Sequence, residues 1–184
     1  MSRVIVGMTS SLDGFVADPG GGVDRLYPDL AALQNTPYMN ALIEETGAVL
    51  MGRRAFEMGD PDGFVGNYEF QVPIFVLTHH APAVHPKQDE RLTFTFVTDG
   101  VESAVKQAKA AAGDKSVTVV GGASVIQQLL RAGLVDELRV DYMPVLLGVG
   151  LRPFDDAGLG DVELEKIGVL EEGARTSLRF RVKK

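Results

Sequence analysis

Short runs of β-branched and other apolar residues alternate with helical patterns over the first two thirds of the chain, and this alternation constrains the fold more than any other feature. Each run has the length of one strand that is buried on both faces. Strand, helix and strand in succession require right-handed crossovers, so we expect a largely parallel sheet with helices on both faces. The predicted strands are Arg3–Met8, Ala48–Met51, Ile74–Thr78, Thr93–Thr98 and Val117–Val120.

Three stretches carry the start and stop signals of helices. The first follows Thr36 as N-cap, has proline at its first helical position, and is expected to stop at Gly47. The other two are followed by Gly113 and Gly133, and glycine commonly ends a helix. The predicted helices are Pro37–Glu45, Val101–Ala112 and Ala123–Ala132.

The last third of the chain has strand patterns without a long helix between them. Glu137–Leu147, Val162–Val169 and Ser177–Val182 are strand-like, and the last of these alternates apolar and charged residues. Antiparallel strands at one edge of a parallel sheet account for this change. We therefore predict an α/β fold with a mixed, mostly parallel sheet, flanked by helices and completed by antiparallel C-terminal strands, in one domain over residues 1–184.

Composition and charge exclude several classes of protein. The 184 residues include no cysteine, which excludes disulfides and thiolate ligands and suits a reducing, cytoplasmic location. The formal net charge of −7 argues against a nucleic-acid partner. No apolar run approaches the ~20 residues of a membrane span, and the N-terminus lacks the pattern of a signal peptide. We expect a small-molecule ligand, with neither a nucleic acid nor a membrane as partner.

The strongest local signal is a buried strand that runs through Gly121 and Gly122 into a helix beginning Ala123-Ser124. Glycine lets a ligand approach the backbone, and the first turn of a helix directs unpaired N–H groups and a positive dipole outward. A pyrophosphate suits such a place. The pattern is not G-x-G-x-x-G, and a tight strand–helix turn with nothing bound is the structural alternative.

A second strand ends at Gly52 and is followed directly by Arg53 and Arg54. Guanidinium groups bind phosphate through two parallel hydrogen bonds, so this pair suits the 2′-phosphate that distinguishes NADPH from NADH. A pair of solvated surface arginines is the alternative. Their position directly after a buried strand favours the binding role.

Two further strand ends carry polar residues. Asp13 and Gly14 follow the first strand, where α/β sheets place ligands, although a plain turn explains them equally well. Thr78 ends the third strand and could donate a hydrogen bond to a cofactor phosphate. The three histidines that follow lack the spacing of a zinc site, so we predict no metal.

Taken together in their order along the chain, these segments resemble the dihydrofolate reductase superfamily more closely than any one of them does alone. The motifs that carry the resemblance are Ser11-x-Asp13-Gly14-x-x-Ala17, Met51-Gly52-Arg53-x-x-Phe56-Glu57, Pro73-x-x-Val76-Leu77-Thr78 and Gly121-Gly122. Later segments resemble the reductase domain of the bifunctional riboflavin-biosynthesis deaminase–reductase and its stand-alone relatives. These segments are Leu134–Leu138, Pro144–Gly148 with Gly150, and Phe154.

The resemblance implies NADPH bound across the strand ends and, usually, a homodimer. Carried over by motif, Gly52, Arg53 and Arg54 lie by the adenosine 2′-phosphate, and Thr78 lies on the adenine side. The segment Gly121, Gly122, Ala123 and Ser124 holds the pyrophosphate, while Asp13 and Gly14 border the nicotinamide. The edge strands, with Val140, Tyr142 and Phe180, are candidates for the dimer interface.

Departures from both named enzymes leave the substrate open. Of the Asp-Asp-Pro segment and sugar-phosphate arginines of the riboflavin reductase, only Gly59-Asp60-Pro61 matches, without a clear basic pair. The helix region 35–41 lacks the carboxylate with which dihydrofolate reductase holds its pterin, and neither Asp29 nor Glu44 is well placed to supply it. Asp13 and Asp60 remain as candidate proton donors, and either needs a raised pKa to act near neutral pH. The first hypothesis is an NADPH-dependent reductase of small C=N or C=O compounds. A non-catalytic NADPH- or nucleotide-binding protein and a purely structural dimer are the alternatives.

Overall fold

The structure, a computed structural model, describes residues 2–155 and 157–184. All of the predicted strands and helices form, with shifts of a few residues at their ends. The strands are β1 (Val4–Ser11), β2 (Thr46–Gly52), β3 (Ile74–Leu77), β4 (Phe94–Val97), β5 (Ser116–Val120), β6 (Glu137–Met143), β7 (Leu164–Glu172) and β8 (Arg175–Val182).

Short and long helices connect the strands. The α-helices are α1 (Leu30–Leu33), α2 (Pro37–Glu45), α3 (Arg53–Glu57), α4 (Val101–Ala112) and α5 (Ala123–Arg131), with 3-10 turns at Asp24–Leu26, Pro61–Gly63 and Ala157–Leu159. Thr36 caps α2 as predicted, because its side chain accepts a hydrogen bond from the amide of Met39. A cap of this kind contributes about 0.5–2 kcal/mol.

The eight described strands form one sheet in the order β4-β3-β2-β5-β1-β6-β8-β7. The pairings among β1 to β6 are parallel, and β8 pairs antiparallel with both β6 and β7. This confirms the predicted mixed sheet with antiparallel C-terminal strands. The parallel topology brings the ends of β1, β2, β3 and β5 to one edge, where their following loops meet.

The two faces of the sheet differ in chemistry. One face packs on α4 and α5 through an apolar core that includes Val4, Leu50 and Val119. On the other face, β2, β3 and β4 pack on a second apolar core rich in phenylalanine. Beyond β1, this second face becomes polar, with Arg139 and Asp141 of β6 both buried.

Three predictions about element ends and surfaces are wrong. Gly47 lies inside β2 and does not end the helix; a Cβ there would lie 2.6 Å from the carbonyl oxygen of Ala112, so close packing on α4 requires glycine. β6 stops at Met143 rather than Leu147, since Pro144 has no N–H to continue the ladder. Val140 is 3% exposed in the core and is unavailable to a dimer interface.

Candidate active site

The two predicted glycine turns lie against each other. β2 and β5 are neighbouring parallel strands, and Gly52 and Gly122 occupy the positions just before α3 and α5. A Cβ at Gly122 would lie 3.6 Å from the Cα of Gly52, and one at Gly52 would lie 2.9 Å from a methyl group of Val125. A Cβ at Gly121 would lie 3.0 Å from the Cβ of Ala55. The ends of β2 and β5 therefore converge at one place.

The first turn of α5 is open to a ligand. Gly121 and Gly122 both have positive φ, of 72° and 84°, which side chains rarely adopt. No side chain caps the helix at Gly122, and Ala123 and Ser124 are half-buried and exposed respectively. Backbone N–H groups in such a turn attract an anion. The geometry fits a phosphate group at this place.

Arg53 and Thr78 line one shallow groove together with Phe56, His80 and Phe96. The Nε atom of Arg53 donates to Glu57 at 2.6 Å, and its Nη1 donates to the carbonyl of His80 at 3.2 Å. Thr78 donates to the same carbonyl at 3.0 Å. These bonds hold the guanidinium of Arg53 in one direction at the groove. Arg54, its neighbour, is exposed.

Asp13 binds the loop that follows β6. Its carboxylate accepts hydrogen bonds from Ser11 Oγ at 2.6 Å and from the amides of Leu147 and Gly148 at 3.1 and 2.7 Å. The Ser11 hydroxyl, followed by these amides, lowers the pKa of Asp13 to about 2. The raised pKa that a proton donor needs is absent, so Asp13 is ionised near neutral pH and holds two loops together.

Glycines allow this loop contact. Gly14 has a φ of 87°, and a Cβ there would lie 3.2 Å from the guanidinium of Arg152. Arg152 in turn lies over the ring of Phe15, 4.2 Å from its centroid. At Gly150 a Cβ would lie 2.1 Å from the carbonyl oxygen of Ala17, so no side chain fits. The Asp13–Gly14 turn is thus a fixed part of the site.

Asp60 lies apart from Asp13. It is exposed and caps the 3-10 turn at Pro61–Gly63 by accepting a hydrogen bond from the amide of Asp62 at 3.0 Å. Asp62 accepts in turn from the amide of Lys87. Among the described residues, no hydrogen bond connects Asp60 with the Asp13 loop. The structure brings the glycines, Arg53 and Thr78 to one edge but does not join the two acids.

The sequence analysis did not predict a buried polar network that lies beside β1. Arg175 of β8 is 2% exposed; it donates to both carboxylate oxygens of Asp29, at 2.6 and 2.8 Å, and to Thr9 Oγ1 at 2.8 Å. Its Nη1 lies 3.5 Å from Asp141, which accepts a hydrogen bond from the Tyr38 hydroxyl at 2.7 Å. One sequence pattern could have indicated this network. Glu137, Arg139 and Asp141 alternate with apolar residues along β6 and therefore share one face of the sheet.

Other classes of site receive no support from the described ranges. No helix within residues 2–155 and 157–184 is long and apolar enough to cross a membrane. Within the same ranges, no group of three or more His, Asp and Glu side chains is placed to hold a metal ion.

The fold is of the dihydrofolate reductase-like class. The structure matches that of dihydrofolate reductase from Enterococcus faecalis with a TM-score of 0.63 and 15% identity, over 99% of this chain and 97% of that one. The chain also matches the RibD C-terminal domain family over residues 2–177 and belongs to that family.

Individual relatives agree with this assignment. A structure described as a putative riboflavin biosynthesis protein from Shewanella sp. PV-4 matches with a TM-score of 0.78 and 23% identity, over 99% of both chains. Uncharacterized protein YyaP of Bacillus subtilis (strain 168) is 28% identical over 167 residues, which is 84% of this chain and 81% of YyaP. The resemblance to the riboflavin-biosynthesis reductase domain is confirmed at the level of the family, and the resemblance to dihydrofolate reductase at the level of the fold.

Proposed function

We propose that this protein is an NADPH-dependent reductase that transfers hydride to a small heterocyclic or sugar-derived C=N or C=O compound. The observation that carries the proposal is the contact between Gly52 and Gly122, which makes one cradle from two strand ends. Membership of the RibD C-terminal domain family supports it. So does the likeness to a dihydrofolate reductase that is described as complexed with NADP(H).

The residues present fit the proposed cofactor. A Cβ at Gly52, Gly121 or Gly122 would lie 2.9, 3.0 or 3.4 Å from a neighbouring side chain, so glycine lets the two strand ends meet, and the backbone at Gly121 and Gly122 would hold the pyrophosphate. Arg53 and Arg54 would hold the adenosine 2′-phosphate, with Thr78 on the adenine side. Ala123 and Ser124 would complete the phosphate site with the N–H groups of α5.

NADPH supplies the hydride in such a reaction, and the chain has to orient the substrate, exclude water and provide a proton. Asp13 does not provide it, because its pKa is lowered; we propose that Asp13 fixes the loop at the nicotinamide edge together with Gly14. Asp60 remains a proposed proton source. Its exposed position would require delivery through solvent.

The lowered pKa of Asp13 also favours a second function, an NADPH-binding protein without turnover. The two functions separate in one experiment. NADPH fluorescence measures binding, and the decrease in NADPH absorbance measures consumption with a panel of pterins and ribitylamino-pyrimidines. We expect binding with consumption of NADPH by at least one compound. Binding without consumption across the panel supports the second function, and no binding contradicts both.

A further inference from the structure

An apolar cavity lies at the end of α5 that is farther from Gly122. It has a volume of about 340 Å³ and is walled by α5, β6, β7 and the segment that joins β6 to β7. The described residues that line it are apolar or glycine. The apolar side chains among them are Leu130, Leu138, Phe154, Leu159, Val162 and Leu164. The proposed reductase reaction does not use this cavity.

The floor of the cavity is preformed. Leu130 and Leu138 belong to the buried core and are 5% and 3% exposed. The segment after β6 is anchored beside this floor, because the side-chain amide of Gln127 donates to the carbonyl of Pro153 at 3.2 Å. A ligand therefore does not have to open the space that it fills.

Two large apolar side chains are exposed at the mouth of the cavity. Phe154 is 41% exposed and Leu164 is 43% exposed. Apolar side chains offer water no hydrogen bonds, and apolar cavities of ~150 Å³ stay dry and take up benzene. The cavity here has more than twice that volume. A ligand of one or two rings would fit into it and cover both side chains.

The charged side chains beside the cavity are paired with one another. Glu163 and Glu165 flank Leu164 in the sequence, and they pair with Lys183 at 3.2 Å and with Arg181 at 2.8 Å. Among these four charged side chains, no cation is left for an anionic ligand and no carboxylate for a cationic one. The surroundings therefore favour a neutral ligand.

We propose that this cavity binds a neutral aromatic compound of the size of two fused rings, at a site separate from that of the cofactor. The apolar lining supplies contact area, and the ring of Phe154 supplies an edge-to-face contact to an aromatic ligand. Leu130 follows Gly122 by eight residues along α5, which is ~12 Å along the helix axis. The proposal goes beyond the proposed function and does not depend on it.

The test uses naphthalene as the probe. Ligand-observed NMR on the full chain measures its affinity and stoichiometry, with and without NADPH. We expect saturable binding of one naphthalene per chain, with the same affinity in both samples. Absence of saturable binding overturns the proposal. An affinity for naphthalene that falls as NADPH is added overturns the separate location of the site.

Two matched variants test the wall of the cavity. In Leu164→Asp a carboxylate has to lose its hydration when naphthalene binds, so we expect at least about tenfold weaker binding. Ile167→Asp is the control, because Ile167 lies in the same strand, is 42% exposed and is not among the residues that line the cavity. Unchanged binding by Leu164→Asp, or equal losses in the two variants, overturns the proposal.

A third variant, Phe154→Ala, decides the matter if Leu164→Asp does not fold. It removes one apolar wall, and we expect severalfold weaker binding of naphthalene, with thermal unfolding as the check that the variant is folded. Unchanged binding by folded Phe154→Ala contradicts the site. Naphthalene binding that is lost as the native chain associates at higher protein concentration would show that a second copy covers the cavity, and this also overturns the proposal.

Discussion

Arg53 and Arg54 are neighbours in the sequence, but only Arg53 is held in a fixed direction. Its guanidinium is bonded to Glu57 and to the carbonyl of His80, and the side chain is still 47% exposed. A guanidinium that is already oriented loses less freedom when it binds a phosphate. If the groove beside it takes the adenosine end of the cofactor, Arg53 contributes more to binding than Arg54 does.

We expect Arg53→Ala to weaken NADPH binding at least about tenfold, because a hydrogen bond to a charged group is worth ~1.5–3 kcal/mol. NADH lacks the 2′-phosphate, so its affinity should change little. Fluorescence titration with both cofactors measures the two effects. Arg91→Ala, at an exposed arginine in another loop, serves as the control. Equal losses for NADPH and NADH would show that the 2′-phosphate assignment is wrong.

At the scale of elements, the glycine cradle joins β2 to the first turn of α5. Gly122 has a φ of 84°, and a Cβ there would also meet Val125 at 3.4 Å. We expect Gly122→Ala to strain the turn by ~1–3 kcal/mol and to weaken NADPH binding by more than it lowers the melting temperature of the protein alone. Titration of NADPH and thermal unfolding are the measurements.

Gly59→Ala is the matched control for the cradle. Gly59 follows α3, has no neighbour within 4 Å of a Cβ, and is exposed. This variant should keep both the cofactor affinity and the stability of the native chain. A Gly122→Ala variant that binds NADPH as the control does would contradict the placement of the pyrophosphate at α5.

The sequence predicts the elements of this fold well because their signals are local. The Thr36 cap and the apolar run before Gly121 are readable within a few residues, and their structures follow. The network of Arg175 with Asp29 is not readable in this way, because the partners are 146 positions apart. The position of Asp29 in the sequence does not suit a substrate carboxylate, and in the structure an arginine from the far end of the chain pairs with it.

The lowered pKa of Asp13 could not be predicted from the sequence either. A carboxylate after a strand suits a proton donor or a loop anchor equally well. The difference lies in Leu147 and Gly148, whose amides reach it from 134 and 135 positions away and help to lower its pKa. Local patterns thus identify the residues of a strand-end site, while contacts between distant segments decide their roles.

At the scale of the whole molecule, β7 is one of the two edge strands of the sheet that the described residues form, and it pairs on one side with β8. It is an edge strand of nine residues, exposed along most of its length, and its apolar side chains include Ile167 at 42% and Val169 at 53% exposure. An exposed apolar edge is a template for association with another chain. We propose that β7 contributes to the interface of a homodimer, which the family resemblance implies.

We expect the native chain to sediment as a dimer and Val169→Lys to shift it toward monomer, because a charge placed in an apolar interface loses its hydration without gaining a partner. Val84→Lys is the control, since Val84 is 82% exposed in the loop between β3 and β4, at the opposite end of the strand order from β7. Sedimentation velocity at several concentrations measures both variants. A native monomer refutes the dimer. If Val169→Lys remains a dimer with an unchanged melting temperature, the interface does not lie at β7. Association through β7 would bury Val169, so a lysine there would weaken the dimer.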